Sequence, residues 1–185
     1  MSFSQLPDLD FLNNRLYYDP DTGIFRWREV GVEFFTTKNS WSSWNSRFSG
    51  KTAGKLRDDG YLSVRLKYLN TSKTYLLHRV ALKMFYGKDP EGFVDHINGD
   101  RQDNRIENLR VVSRSENQRN QKKRTNNTTG VLGVSWSKHA NAWLARITYD
   151  GKQKNLGYYK DFDDAVKVRM AAEIEHKYHK NHGRD

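Results

Sequence analysis

Cysteine is absent from the 185 residues. That excludes disulfides, thiol nucleophiles and every zinc site built on thiolates. Apolar residues make up only 36%, low for one well-filled core. Small modules with much exposed surface are expected instead. There is no apolar run of membrane-spanning length and no long basic amphipathic helix. The opening MSFSQLPDLDFL lacks the basic and apolar regions of a signal peptide. An intracellular protein with no membrane partner is therefore expected. The sequons at Asn70, Asn126 and Asn127 are then expected to carry no glycan. No internal repeat is visible.

Positive charge is abundant. Lys and Arg number 32 against 22 Asp and Glu, which gives +10 and a pI near 9.7. Such a balance favours polyanions. Nucleic acid is the commonest, and an anionic membrane surface is the alternative. Aromatics at 13% argue against disorder throughout.

Along the chain, RLYYDPDTGIFRW (15–27) reads as two strands about a DPDTG turn. VEFFTTKNSWSSWNSRFSGKTAG reads as a polar loop, with Trp41 and Trp44 packed on the core or wedged against bases. KLRDDGYLSVRLKYLNTSKTYLL alternates like a strand pair, clearest over 61–68. HRVALKMFYG has the pattern of a short helix that stops at Gly87. EGFVDH and LRVVS read as strands around an INGDRQDNRIEN loop. Ser113 with Glu116 is a candidate capping box for a helix over about 114–122. KKRTNNTTG (122–130) has linker composition. Beyond it come three strand-like segments and a helix capped by Asp161 or Asp163. Phe162, Val166, Met170 and Ile174 recur on that helix every four residues.

The stretch FVDHINGDRQDNRIENLRVVSRSENQRN holds the chemistry. An aspartate at a strand end and an amide on a facing helix can grip a divalent ion through oxygen, leaving room for water and a phosphate. A histidine next to that aspartate points to the other side of the strand. Near its ordinary pKa of ~6.5 it is largely neutral and can deprotonate water. Metal opposite base, with a phosphodiester between them, makes a hydrolytic nuclease site. His78 is expected to pack or bond locally, and Asn104 to bond within the loop. His176, His179 and His182 read as a polar tail.

LHRVALKMF…VDHINGDRQDNRIENLRVVSRSENQRN resembles the HNH endonucleases of phage and homing type, in the ββα-metal superfamily. The resemblance spans roughly 15–122. It implies Asp95 and Asn117 as metal ligands, His96 as general base, and Asn108 as the residue that pins the loop and orients the histidine. The last motif position is Asn117 rather than the histidine of other branches, which favours Mg²⁺ or Mn²⁺ over zinc. Arg110, Arg114, Arg119, Lys122, Lys123 and Arg124 are candidate phosphate contacts.

GVLGVSWSKHANAWLARITYDGKQKNLGYYKDFDDAVKVRMAAEIE is similar to the DNA-binding domain of plant ethylene-response factors, which lays a three-stranded sheet in the major groove. That likeness implies DNA-facing positions at Trp136, Lys138, Trp143, Arg146, Thr148, Lys154 and Asn155.

The expected architecture is α+β. A β-rich lead-in (1–77) feeds a helix and ββα-metal core (78–122), followed by a linker (123–130). A three-stranded antiparallel sheet on one helix (131–185) completes it. The expected function is a metal-dependent DNA endonuclease acting on double-stranded DNA in a phage-infected bacterial cytoplasm, as a monomer or homodimer. A DNA-binding regulator with a decayed site is the rival reading.

Overall fold

A computed structural model describes residues 5–113, 116, 127–149, 151–176 and 178. The chain forms two compact units, 1–111 and 112–185. The architecture is α+β, with four small sheets among the described residues. Among the described residues no helix is long and apolar enough to cross a membrane.

In the first unit, α1 (Leu9–Arg15) starts at Asp8, whose carboxylate accepts from the Phe11 amide. It leads into β1 (Leu16–Tyr18), which pairs with β2 (Phe25–Trp27). β3 (Lys55–Leu56), β4 (Leu62–Tyr68) and β5 (Thr71–Leu76) form a second sheet in that order. On β4, Val64 and Leu66 are buried while Arg65 and Lys67 face solvent, the alternation of a half-buried strand. α3 (Leu77–Tyr86) buries Leu77, Val80, Ala81 and Leu82 against Leu12, Leu16 and Phe25. It stops at Gly87, which takes the left-handed conformation that favours glycine. β6 (Phe93–His96) and β7 (Leu109–Val112) then pair as a two-stranded sheet.

The segment expected as a polar loop contains a helix, α2 (Lys38–Phe48). Thr37 and Ser40 form a reciprocal capping box at its start. Trp41, Trp44 and Phe48 have helical spacing, although four serines and asparagines between them hide the pattern. The helix is clamped to Val30, whose carbonyl accepts from both Trp41 Nε1 (2.7 Å) and Asn45 Nδ2 (2.9 Å). Trp44 packs on Trp27, Phe35 and Phe48.

In the second unit, β8 (Val134–Ser137), β9 (Ala142–Tyr149) and β10 (Lys152–Tyr159) form an antiparallel sheet with β9 in the centre. One helix, α4 (Phe162–Glu175), packs on it, capped by Asp161. Only half of the expected apolar stripe is used. Phe162 and Val166 join the core, but Met170 is 54% and Ile174 80% exposed. The buried helix positions are Ala165, Arg169 and Ala172. Two alanines let the helix approach closely. The buried Arg169 donates through Nε to the Leu132 carbonyl (3.0 Å) and pairs through Nη2 with Glu173 (3.1 Å).

Within the first unit, the β1–β2 turn touches the loop that precedes β7. The Tyr18 hydroxyl donates to the Asn104 carbonyl (2.7 Å), and the Ile106 amide donates to the Pro20 carbonyl (2.9 Å). Gly23 has φ +72, and a Cβ there would stand 2.5 Å from the Arg105 nitrogen and 2.6 Å from the Asn104 carbonyl carbon. Both neighbours are backbone, so neither yields easily. Gly23→Ala is expected to destabilise the first unit by about 2 kcal/mol or more, measurable as a lowered urea midpoint. An unchanged midpoint would mean that this seam is not tight.

Candidate active site

β6 alternates. Val94 and His96 point inward and are buried, while Asp95 lies on the other side with its side chain 11% exposed. The INGD turn that follows is tied by its own side chains. Asn98 Oδ1 accepts from the Asp100 amide, and Asn98 Nδ2 donates to Asp103. Asn108 bonds across the loop: its Oδ1 accepts from the Asn98 amide (2.9 Å) and its Nδ2 donates to the Asp103 carbonyl (2.8 Å). The Arg105 guanidinium grips Asp103, which, helped by Asn98, pulls that carboxyl down to about 2.

The side chain against the His96 ring is Asn104, not Asn108. Asn104 Oδ1 lies 3.3 Å from His96 Nε2. A carbonyl oxygen only accepts, so this pairing places the ring proton on Nε2 and leaves the Nδ1 lone pair available. His96 is 4% exposed. Burial lowers its pKa, against the raising effect of the Asn104 bond and of Asp95, Asp100 and Asp103. The imidazole is therefore neutral near pH 7.

Further side chains surround that ring. His78 on α3 packs edge-on against His96 with centroids 5.2 Å apart, and Tyr61 lies 5.0 Å from His78 and 5.8 Å from His96. The Arg101 guanidinium sits over the Tyr61 ring (4.8 Å) and donates to the Asp59 carbonyl. The sequence signal for Tyr61 and Arg101 was absent, because they lie 35 residues before and 5 after His96 with no motif spacing.

Arg110, expected on phosphate, holds Asp95 instead in this arrangement. Its Nη2 and Nε donate to one carboxylate oxygen at 2.7 and 3.0 Å. Ser113 and Glu116 exchange the bonds of a capping box (2.8 and 3.2 Å). Arg114, Asn117, Arg119, Lys122, Lys123 and Arg124 lie outside the described residues, as do His179 and His182. His176 stacks on Tyr149 (4.1 Å). Among the described residues no three of His, Cys, Asp and Glu converge on one point. Of the expected metal ligands, the carboxylate of Asp95 is the one within the described residues.

On the second unit's sheet the expected DNA-facing residues divide between two faces. Trp143 packs on Phe162 under α4 (4.8 Å). Trp136 is its cross-strand partner, and Lys154 pairs with the buried Ile147, so both share the helix-covered face. Arg146 and Thr148 stand on the opposite face, joined by Asn155, the partner of Arg146. Lys138 is exposed just past β8. Arg146 Nε is buried with no hydrogen-bond partner among the described residues.

His78 is 4% exposed and its Nδ1 has no partner among the described residues. Burial, with His96 and Arg79 nearby, depresses its pKa to about 3. The folded pKa lies below the unfolded value of ~6.5, so this stability is present above ~6.5 and is lost as pH falls towards 3. Each pH unit in that window should remove about 1.4 kcal/mol. Urea titrations between pH 7 and 5 should show that slope, and His78→Gln should flatten it. Equal slopes for both proteins would rule the buried neutral ring out.

The chain is similar to known proteins. The HNH endonuclease family model matches residues 75–119, which contain α3, β6, the pinned loop and β7. Over 94 residues, half of this chain, the sequence is 40% identical to Protein 3.8 of Escherichia phage T7, covering 78% of that protein. It is 37% identical over 97 residues to an uncharacterized HNH endonuclease of Acanthamoeba polyphaga mimivirus, covering 49% of this chain and 24% of that one. A solved chain described as "DNA binding and cleavage by the HNH homing endonuclease I-HmuI" aligns over 95% of this chain and 94% of its own, at 22% identity and a TM-score of 0.43. By its family match and its phage relative, the chain belongs to the HNH endonuclease family.

Proposed function

We propose that this nuclease is a divalent-metal-dependent DNA endonuclease of phage or homing type, hydrolysing phosphodiester bonds in double-stranded DNA within an infected bacterial cell. The observation that carries this reading is the buried, neutral His96, held through Nε2 by Asn104 and seated next to Asp95 at the end of β6. Asp95 and Asn117 would hold the ion, Mg²⁺ or Mn²⁺, through oxygen. When bound, it stabilises charge on the scissile phosphate and its leaving oxygen. His96 Nδ1 takes a proton from water, whose oxygen bonds to phosphorus as the bond to the leaving oxygen breaks. Asn108 keeps the loop shape that puts Asn104 on the ring. Arg110 holds the Asp95 carboxylate. Arg114, Arg119, Lys122, Lys123 and Arg124 would add phosphate contacts.

His96→Ala is expected to cut nicking of plasmid DNA by ~10² or more while DNA binding persists. Asp95→Ala should raise the Mg²⁺ needed for cutting, or abolish it. Unchanged cleavage by His96→Ala with Mg²⁺ present would remove the general-base role. Activity that follows bound zinc would remove the oxygen site.

The second unit would be the DNA anchor, in the manner of the plant ethylene-response-factor domain it resembles. Its reading surface would be the face away from α4, with Arg146, Thr148 and Asn155, and Lys138 on phosphate beyond the edge. Trp136, Trp143 and Lys154, on the other face, would support the sheet. Arg146→Ala should weaken binding to a preferred duplex about 10-fold or more, the range of one good base contact. Lys154→Ala should change it by less than about 3-fold. The reverse ranking in binding titrations would place DNA on the other face.

A further inference from the structure

The first unit has two grooves that the nuclease chemistry does not use. Each encloses about 650 Å³, and they share Trp27, Trp44 and Arg65. Their volume lies within the ~300–1,000 Å³ range of ligand pockets. One carries Arg15 and Lys67 beside Arg65; the other carries Arg47, Lys51 and Lys55. No carboxylate lines either groove.

The charge is not compensated locally. Among the described residues, ion pairs engage Arg57, Lys83, Arg105, Arg110, Lys167 and Arg169, but none of the groove cations. Arg15 is the sharpest case. Its guanidinium is half-buried over the Phe34 ring (4.9 Å) and near Phe11 (5.5 Å), and desolvation lowers its pKa. A cation taken out of water with no anion beside it is costly unless a ligand supplies one. The aromatic walls are also accessible: Phe34 is 46% exposed, and Trp27 and Trp44 are partly so.

Cations and aromatic faces together fit a nucleotide, phosphate to the first and base to the second. The concave shape decides which kind. A duplex hides its base faces in the stack, and its grooves admit a convex helix or ribbon, not a hollow. We propose that these grooves bind an unpaired DNA strand, its bases against Trp27, Trp44 and Phe34 and its phosphates on Arg15, Arg65 and Lys67. Arg65 and Lys67 lie four and six residues along the chain from Tyr61, which packs beside His96. At ~3.3 Å per strand residue that places them ~13–20 Å along the chain from Tyr61, or about four to six base steps from the side chain that neighbours His96. This spacing relative to the cut rests on the nuclease reading; the binding itself does not.

The test uses the full chain with His96→Ala, in EDTA, so that nothing is cut. Anisotropy of a fluorescein-labelled 12-nucleotide oligo(dT) should report binding, and with Arg146→Ala added to remove the proposed duplex contact of the second unit, a duplex of equal length should compete at least 10-fold less well. Arg65→Glu with Lys67→Glu changes two exposed strand positions. It should raise the oligo(dT) Kd at least 10-fold with an unchanged circular dichroism spectrum and melting curve, and lower the salt slope by about 1.4. Oligonucleotides carrying 5-iododeoxyuridine should photo-crosslink to Trp27, Phe34 or Trp44. The proposal falls if the duplex competes equally, if the double variant binds like its parent, or if crosslinks map to residues 127–176. Tighter binding of an oligo(rU) of equal length would also overturn it, by assigning the groove to RNA. Retained binding in EDTA supports the groove whether or not the wild-type chain nicks.

Discussion

The active-site loop depends on a backbone seam. The turn between β1 and β2 presses Gly23 against the Asn104–Arg105 backbone, closer than any side chain would allow. The Tyr18 hydroxyl and the Pro20 carbonyl bond that loop from the same turn. Tyr18 is buried and its own pKa is pushed up by desolvation, so its hydroxyl stays a proton donor. Asn104 is thus fixed through its backbone from one side and offers its side chain to His96 on the other. The lead-in segment, more than seventy residues earlier in sequence, sets the position of the group that orients the histidine.

The cost of this arrangement falls on buried polar groups. His78, His96, Asn104 and Asn108 are all buried. The asparagines are satisfied by loop backbone and ring nitrogen, whereas His78 Nδ1 is left without a partner among the described residues. Removing water from an imidazole disfavours its charged form, so two rings packed edge-on stay neutral together. Neutrality is what the proposed base would need before the reaction, and for His96 burial is the largest cause that favours it. Asp95, Asp100 and Asp103 act against it, but burial is the largest cause; Asp103 and Asp95 are themselves paired with Arg105 and Arg110.

Much of this was legible in the sequence where a residue type has one local solution. DPDTG between aromatic runs gave the β1–β2 hairpin, and Gly87 gave the end of α3. Asp95, His96 and Asn108 were named as candidates through the family resemblance, and Asn108 bonds across the loop that follows β6. The choice between Asn104 and Asn108 as the partner of the ring was not, since both sit in the same polar loop and only its path in space separates them. Helix α2 was hidden by serines, which favour turns unless capped and clamped as Thr37 and Val30 do here. The mixed list of DNA-facing residues on the second sheet had a simpler remedy. Period-two alternation alone separates Trp143 from Arg146 and Thr148 on β9. On β10 the bulge between Asn155 and Gly157 breaks that parity, so only the paired register assigns its side chains.

Charge is distributed by task, which explains how a chain at +10 folds without self-repulsion dominating. Carboxylates are spent on shape. Asp8 and Asp161 cap helices, Asp19 and Asp100 close turns, and Asp103 ties the catalytic loop. Asp103 also neutralises Arg105, while the other four use their oxygens on backbone amides and a hydroxyl. The surplus cations are left where rigidity comes from aromatic packing instead, as around Trp27 and Trp44. A surface built that way gains from any polyanion that binds it, because each phosphate replaces a missing carboxylate and releases condensed counter-ions from the nucleic acid. Placing the surplus in grooves rather than on a flat face adds selectivity. A concave, aromatic-walled cationic site admits a flexible strand whose bases can turn outward, and a stiff duplex can satisfy its charge but not its rings.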